Sequence, residues 1–290
     1  MQNKTIARLV KNILKDDVDC NISRFKQEQS KGFYSYVYKI KTKDHIYVLK
    51  RAKEKELELY QSLNNQLSYF PHFYGYCHLY NKDFILIDYF DGNSAMKMDR
   101  NLLVRVIDAI KECQKKYWNS KESFAITFDE AIKRKEKLIS YIPDELLDTY
   151  NRYLDCFRKT PRTFSHEDLL PFNVLYNNEK ICFIDLEVGG ILPYPTMLAR
   201  LIAYTEEKKD SMFYLSKKDY QYALDYYYDA FIKDKGIGKE DYMLTMNLFI
   251  FNELIEFVWT YRMSNLKPDD LYNKMYKLSL DKQREINRLN

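Results

Sequence analysis

The pattern of hydrophobic and polar positions changes character at about residue 91. Before this point, short runs of β-branched and aromatic residues predict strands around a single helix. The predicted strands cover residues 34–41, 45–49 and 84–90, and the predicted helix covers residues 53–67. Thr42-Lys43-Asp44 is a turn-forming triplet between the first two strands, which should therefore form a hairpin.

After Asp91-Gly92 the pattern is mostly helical. The predicted helices cover residues 102–116, 128–140, 216–235, 240–263 and 269–289. The exception is residues 174–184, whose two short apolar runs predict a hairpin. We therefore expect an α+β fold of two lobes, a small β-rich lobe at residues 1–91 and a larger helical lobe at residues 92–290.

Composition narrows the class of protein. Hydrophobic residues make up 46% of the chain and aromatic residues 16%, which excludes fibrous and disordered chains. The 46 basic and 42 acidic residues are interleaved, so we expect no nucleic-acid partner. Five cysteines without a CxxC pair favour a reduced compartment over a disulfide scaffold. No apolar run reaches the roughly 18 residues that span a bilayer, and we expect a cytoplasmic protein without a membrane partner.

The predicted hairpin at residues 174–184 organises the candidate chemistry. Pairing of its two strands brings Asn173 and Asp185 to its open end, and Asp168 lies five residues before Asn173. Carboxylate and amide oxygens are hard donors that suit Mg²⁺ when phosphate oxygens complete the coordination. Metal and a separate carboxylate are what phosphoryl transfer to a hydroxyl requires.

A family resemblance rests on the motif His166-x-Asp168-x-x-x-x-Asn173, followed by Asp185. Its order and spacing resemble the catalytic and metal-binding loops of the aminoglycoside phosphotransferase and choline kinase family of protein-kinase-like enzymes. The resemblance implies that Asp168 is the catalytic base, that His166 braces the loop, and that Asn173 and Asp185 hold magnesium. The chain departs from the family at Glu167, where a glycine is usual.

The resemblance also implies nucleotide-binding residues in the first lobe. Residues 30–39 resemble the phosphate-covering loop, with Gly32 and Ser35 as its binding residues, although only one glycine is present. Lys50 shares a strand face with two apolar residues. This is the position at which the resemblance implies a lysine that binds the α- and β-phosphates. The segment Asp88-Tyr89-Phe90 resembles the hinge, whose backbone groups would bind the adenine edge.

Three acidic residues could pair with Lys50: Glu54, Glu56 and Glu58. The positions three, four and seven residues after Glu56 are apolar, so Glu56 borders the buried stripe of the predicted helix, whereas the neighbours of Glu58 are polar. We therefore predict a Lys50–Glu56 ion pair. An exposed, charged helix without this pair is the alternative.

The acceptor side carries a weaker pattern. Glu253, Glu256 and either Trp259 or Thr260 lie on overlapping helix faces at three- and four-residue spacing, and carboxylates beside an aromatic ring suit a cation. With Glu187 they are the candidate substrate ligands. The alternative is that the carboxylates are solvated and that the tryptophan belongs to the core.

The sequence thus predicts a small-molecule kinase that uses Mg²⁺ and ATP, with GTP left open, and acts on a hydroxyl acceptor such as an amino sugar or amino alcohol. We expect a monomer or homodimer. A catalytically weak, kinase-like binding module, as among spore-coat relatives, is the alternative. A protein kinase is disfavoured because the segment after Asp185 lacks the glycine and the Ala-Pro-Glu element of an activation segment.

Overall fold

The structure is a computed structural model, which describes residues 1–26, 33–53, 55–122 and 124–289. The helices are α1 (Asn3–Leu14), α2 (Glu56–Leu63), α3 (Arg100–Lys116), α4 (Phe128–Glu136), α5 (Asp144–Lys159), α6 (Thr196–Ile202), α7 (Lys217–Tyr227), α8 (Lys239–Met263) and α9 (Asp270–Arg288). The strands are β1 (Asn21–Lys26), β2 (Phe33–Lys41), β3 (Ile46–Arg51), β4 (Phe73–Leu79), β5 (Lys82–Asp88), β6 (Asn93–Ser94), β7 (Arg162–His166), β8 (Val174–Tyr176), β9 (Ile181–Phe183) and β10 (Gly189–Pro193). Within the described residues, no helix is long and apolar enough to cross a bilayer.

The chain divides into two compact units. The first comprises Met1–Asn93 and Leu175–Val188, and the second comprises Ser94–Val174 and Gly189–Asn290. The first unit holds a five-stranded sheet and the second is mainly helical, which confirms the expected α+β class. The sequence predicted one division after residue 91 and did not include the return of residues 175–188 to the first unit. That return is held by long-range bonds, such as the one that the Phe183 amide donates to the Tyr69 carbonyl.

The sheet of the first unit is antiparallel, in the order β1-β2-β3-β5-β4. The predicted hairpin is confirmed as β2 and β3, and Thr42 closes its turn by exchanging hydrogen bonds with the backbone of His45. On one face the sheet packs against α1, whose buried side chains are Ile6, Leu9, Val10 and Ile13. Leu49 lies in this core, so Lys50 emerges from the opposite face of β3.

Helix α2 is shorter than the predicted helix over residues 53–67. It begins at Glu56 and ends at Leu63, because Asn64 and Asn65 adopt left-handed backbone angles, with φ of 43° and 59°. A left-handed residue after the last turn is a common helix stop, and asparagine tolerates it better than most side chains. The start at Glu56, three residues later than predicted, places this residue in the first turn of the helix, five residues after the end of β3.

The predicted hairpin after residue 173 is confirmed as β8 and β9, which are hydrogen-bonded neighbours. Asn177 fixes its turn, since its side-chain oxygen accepts from the backbone amides of Glu179 and Lys180. This hairpin leads the chain from Asn173 to Asp185.

In the second unit, β7 and β10 pair with His166 opposite Gly189. Gly190 is required there, because a Cβ atom at this position would lie 2.4 Å from the carbonyl oxygen of Ile126. The long helix α8 packs against α5, α6 and α9. The second unit thus positions the end of β7, where the candidate catalytic loop begins, beside helices that the sequence pattern had only partly located.

Candidate active site

In the first unit, Lys50 lies between two carboxylates. Its Nζ is 2.9 Å from Glu56 Oε1 and 2.6 Å from Asp185 Oδ1. The side chain of Glu56 is fully buried and that of Lys50 is only 11% exposed. The structure therefore contains the ion pair that the helical spacing predicted. Burial opposes the charge on Lys50, but the two carboxylates outweigh it and raise the pKa of the lysine, so the ammonium stays protonated.

Asp185 follows β9 by two residues and has a left-handed backbone, with φ of 60°. Such a conformation costs about 1–3 kcal/mol for a residue with a side chain and persists where the surroundings fix it. Burial opposes ionisation of Asp185, but Lys50 outweighs it and lowers the pKa of the carboxyl. The side chain is 36% exposed, so an ionised carboxylate is presented to solvent beside the lysine.

Glu187 belongs to the same cluster of the first unit. Its Oε1 lies 2.5 Å from Nζ of Lys53, and its side chain is 20% exposed. The sequence proposed Glu187 as a substrate ligand, and the structure gives it a lysine partner that the sequence did not identify. Lys50 and Lys53, at and just after the end of β3, thus pair with Asp185 and Glu187, which follow β9.

The proposed hinge residues lie at the end of β5. The amides of Asp88 and Tyr89 donate to the carbonyls of His72 and Ile46, so both are already engaged within the unit. The Asp88 carboxylate accepts from the Tyr74 hydroxyl at 2.8 Å. Phe90 is half-buried. Adenine binding by this segment stays a prediction.

The phosphate-covering loop falls partly outside the described residues. Gly32 lies in the part of the chain that is not described, and so does Glu54, which competed with Glu56 as the lysine's partner. Ser35 is exposed on β2.

In the second unit, hydrogen bonds within residues 166–173 fix the conformation of the candidate catalytic loop. The amide of Asp168 donates to Nδ1 of the fully buried His166 at 3.2 Å. Asn173 Nδ2 donates to the Asp168 carbonyl at 2.8 Å and lies 3.4 Å from Asp168 Oδ2. Because the amide nitrogen of Asn173 is committed to Asp168, its side-chain oxygen is the atom left to bind a cation.

Asp168 also has a cationic partner that the sequence analysis missed. Arg200 contacts Asp168 Oδ1 through Nη2 at 2.7 Å and through Nε at 3.2 Å. Its Nη1 contacts Glu253 Oε2 at 2.8 Å and also Glu256. The glutamates predicted to bind a cation therefore contact one that belongs to the chain itself, and Trp259 is half-buried on the same helix.

A sequence feature could have located Arg200. It is the only charged residue of α6, whose other members are almost all apolar and buried. A charge in a buried helix must be paired. Its guanidinium side chain is 13% exposed. Burial opposes its charge, but Glu253 and Glu256 outweigh that effect and raise the pKa of Arg200 further.

Glu167, which stands where the family usually has glycine, anchors the loop to α4. Its carboxylate lies 2.9 Å from Arg134 Nη2 and 3.0 Å from Lys135 Nζ. Burial opposes its ionisation, but Lys135 and Arg134 together outweigh it and lower the pKa of Glu167 to about 2. The departure from the family is therefore matched by two basic residues on a neighbouring helix.

Each unit supplies an oxygen donor of the kind that Mg²⁺ binds. Across the described residues, no three His, Cys, Asp or Glu side chains form a group able to hold a metal. Mg²⁺ usually takes one or two protein oxygen ligands and completes its octahedron with phosphate oxygens and water. An ionised Asp185 in the first unit and the amide oxygen of Asn173 in the second are ligands of the required type.

The chain is similar to a known protein family and to several solved structures. A model of the phosphotransferase enzyme family matches residues 23–215. The structure is similar to the choline kinase from Cryptosporidium parvum, with a TM-score of 0.67 and 13% identity over 99% of this chain and 97% of that one. It is also similar to the choline kinase from Streptococcus pneumoniae, with a TM-score of 0.57 and 13% identity over 97% and 99% of the two chains.

A third similar structure is the aminoglycoside phosphotransferase from Alicyclobacillus acidocaldarius, with a TM-score of 0.58 and 12% identity over 92% of this chain and 91% of that one. No curated protein matches the sequence. Identities this low show the fold alone, which is the α+β fold of kinase-like proteins.

Proposed function

We propose, because this chain belongs to the phosphotransferase enzyme family, that it transfers the γ-phosphoryl group of ATP to a hydroxyl of a small molecule with the help of Mg²⁺. The observation that carries the proposal is the buried Lys50–Glu56 pair beside an ionised Asp185. Taking two charges out of water is costly, and a buried ion pair is weak evidence for stability. The cost of burying the Lys50–Glu56 pair is explained if Lys50 must present its positive charge to the phosphates of a nucleotide.

Each residue then has a role that its surroundings support. Lys50, oriented by Glu56, binds the nucleotide phosphates, and Asn173 and Asp185 hold magnesium. The metal, when bound, neutralises phosphate charge. Asp168 orients the acceptor hydroxyl and accepts its proton, and His166 keeps the loop in place through the Asp168 amide.

The charge around Asp168 bears on the acceptor. Four carboxylates, those of Glu167, Asp168, Glu253 and Glu256, contact three basic side chains of the same unit, those of Arg134, Lys135 and Arg200. The group is close to neutral, so it offers little counter-charge to a polycation. We therefore propose an acceptor with at most one positive charge, such as an amino alcohol, over an aminoglycoside.

A substrate panel tests this proposal. ATP consumption would be measured with choline, ethanolamine, glucosamine, homoserine and kanamycin, with and without Mg²⁺. We expect Mg²⁺-dependent turnover with a monocationic acceptor and little with kanamycin. The reverse order would contradict the proposed acceptor, and no consumption with any acceptor would contradict the enzyme assignment.

Binding is measured separately by thermal unfolding with a non-hydrolysable ATP analogue. Ligand at 100 times its Kd stabilises a protein by about 2.7 kcal/mol. We expect this shift to need Mg²⁺, to disappear in Lys50→Met and to persist in Lys43→Met, which alters an exposed lysine of the same hairpin. A Mg²⁺-dependent shift without turnover would favour the binding module over the kinase.

A further inference from the structure

The guanidinium of Arg200 divides its contacts between two sides. One edge, formed by Nε and Nη2, donates to a single oxygen of Asp168, Oδ1. The remaining nitrogen, Nη1, contacts both Glu253 and Glu256 on α8. One planar group therefore links the candidate base to a buried helix.

This link gives the two carboxylate oxygens of Asp168 different surroundings. Oδ1 accepts two N–H groups at 2.7 and 3.2 Å. Among the residues that the structure describes, the contact of Oδ2 is the long one from Asn173 Nδ2, at 3.4 Å. The Asp168 side chain as a whole is 33% exposed.

The other end of the arginine is itself held. Glu253 is 9% exposed and lies in α8, which packs against the α6 helix that carries Arg200. The Tyr204 hydroxyl donates its single hydrogen to the Glu253 carbonyl at 2.5 Å, and its oxygen lies 3.1 Å from Glu256 Oε2. Glu256 is three residues after Glu253, so both carboxylates leave one face of α8 towards Arg200.

We propose that Arg200 is a positioning residue, which holds Oδ1 of Asp168 so that Oδ2 is presented to the acceptor hydroxyl. Glu253 and Glu256 act through Arg200 by fixing its guanidinium, and they do not bind the acceptor directly. The inference rests on the proposed function, because it assigns a role within the same site. It also reinterprets the two glutamates that the sequence pattern suggested as substrate ligands.

Lysine cannot reproduce this arrangement. Its ammonium is a point charge, whereas the fork of arginine spans Asp168 on one side and the α8 carboxylates on the other. Arg200→Lys therefore keeps the charge and removes the geometry. Because a misplacement of 1 Å can cost about 100-fold in rate, we expect kcat to fall by about that factor.

Steady-state kinetics with Mg·ATP and the most active acceptor of the panel test the proposal. Arg200→Lys is compared with the double variant Arg200→Gln/Glu253→Gln, which removes one charge of each sign and guards against misfolding of the single variant. The matched control is Arg100→Lys, which changes an exposed arginine paired with Asp219 in the same unit. Both Arg200 variants should lose kcat about 100-fold, while KM for ATP stays within about twofold and the control matches the wild type.

Other outcomes separate the two proposals. A kcat within about threefold of wild type in either Arg200 variant would overturn the positioning role, and so would a raised KM for the acceptor at unchanged kcat. If the wild type transfers phosphate and the variants match it, only this inference falls. If the wild type transfers no phosphate to any acceptor, the proposed function fails, and the role of Arg200 fails with it.

Discussion

Replacing Glu167 by glutamine tests the electrostatics of the candidate catalytic loop. The folded protein lowers the pKa of Glu167 from an ordinary 4.5 to about 2. Because one pKa unit corresponds to about 1.36 kcal/mol, this depressed pKa stabilises the folded state by roughly 3 kcal/mol at pH 7. Loss of one partner of a buried ion pair costs about 3–5 kcal/mol, which agrees in size.

The sign of the pH dependence follows from the depressed pKa. The contribution of Glu167 is fully present above the unfolded pKa of 4.5 and is lost as the pH falls through the folded pKa of about 2. By the same relation, the difference in unfolding free energy between wild type and Glu167→Gln should shrink to roughly half its pH 7 value at pH 3.

Urea denaturation at pH 7 and pH 3 measures this difference. The control is Glu136→Gln, which removes an ion pair between Glu136 and Arg158. Both side chains are exposed, that of Arg158 by 42% and that of Glu136 by 40%. Such a surface pair is worth about 0–1 kcal/mol. The reasoning would be refuted if Glu167→Gln cost no more than the control, or if its cost did not decrease towards pH 3.

Three further predictions concern the rest of the fold. Gly190→Ala should destabilise the protein by at least about 1–3 kcal/mol in urea denaturation, since its Cβ would lie 2.4 Å from the Ile126 carbonyl oxygen; an unchanged midpoint would argue against this close approach of Ile126 to Gly190. Leu9→Ala, which opens the core under α1, should cost about 2–5 kcal/mol, and a loss below about 1 kcal/mol would show that α1 is not packed on the sheet. Lys53→Met, at a lysine 61% exposed, should change stability by less than about 1 kcal/mol, which the same assay would check.

Features that depend on short-range spacing were accessible from the sequence. The hairpin of β2 and β3 follows from period-two runs around a turn triplet, and the Lys50–Glu56 pair follows from the apolar stripe of a single helix turn. In both cases the partners lie close together in sequence, so periodicity alone brings them together.

The ion pairs around Asp168 were not accessible in this way. Arg200 is 32 residues from Asp168 and 53 residues from Glu253, and no local period relates such positions. The sequence pattern placed Glu253 and Glu256 correctly on one face of a helix. It could not show that a buried arginine of another helix occupies that face.

The helical half shows the same limit. The predicted helix over residues 128–140 ends at Glu136 in the structure and is followed by a 3₁₀ turn at Ile139–Tyr141. The predicted helix of thirteen residues rested on amphipathic spacing. A 3₁₀ turn preserves a similar spacing for a few residues, so the pattern alone does not show where the α-helix ends. Helix α6 escaped prediction because it is nearly all apolar and therefore lacks a polar face.

Phosphoryl transfer by the wild type and by Asp168→Asn tests the central claim most directly. Both proteins would be given Mg·ATP and the panel acceptors, and the phosphorylated product would be measured by mass spectrometry, with the exposed Asp129→Asn as control. We predict product from the wild type and the control, and a loss of about 10²- to 10⁴-fold in Asp168→Asn with ATP binding retained. Near-normal product from Asp168→Asn, or none from the wild type with any acceptor, would contradict the account.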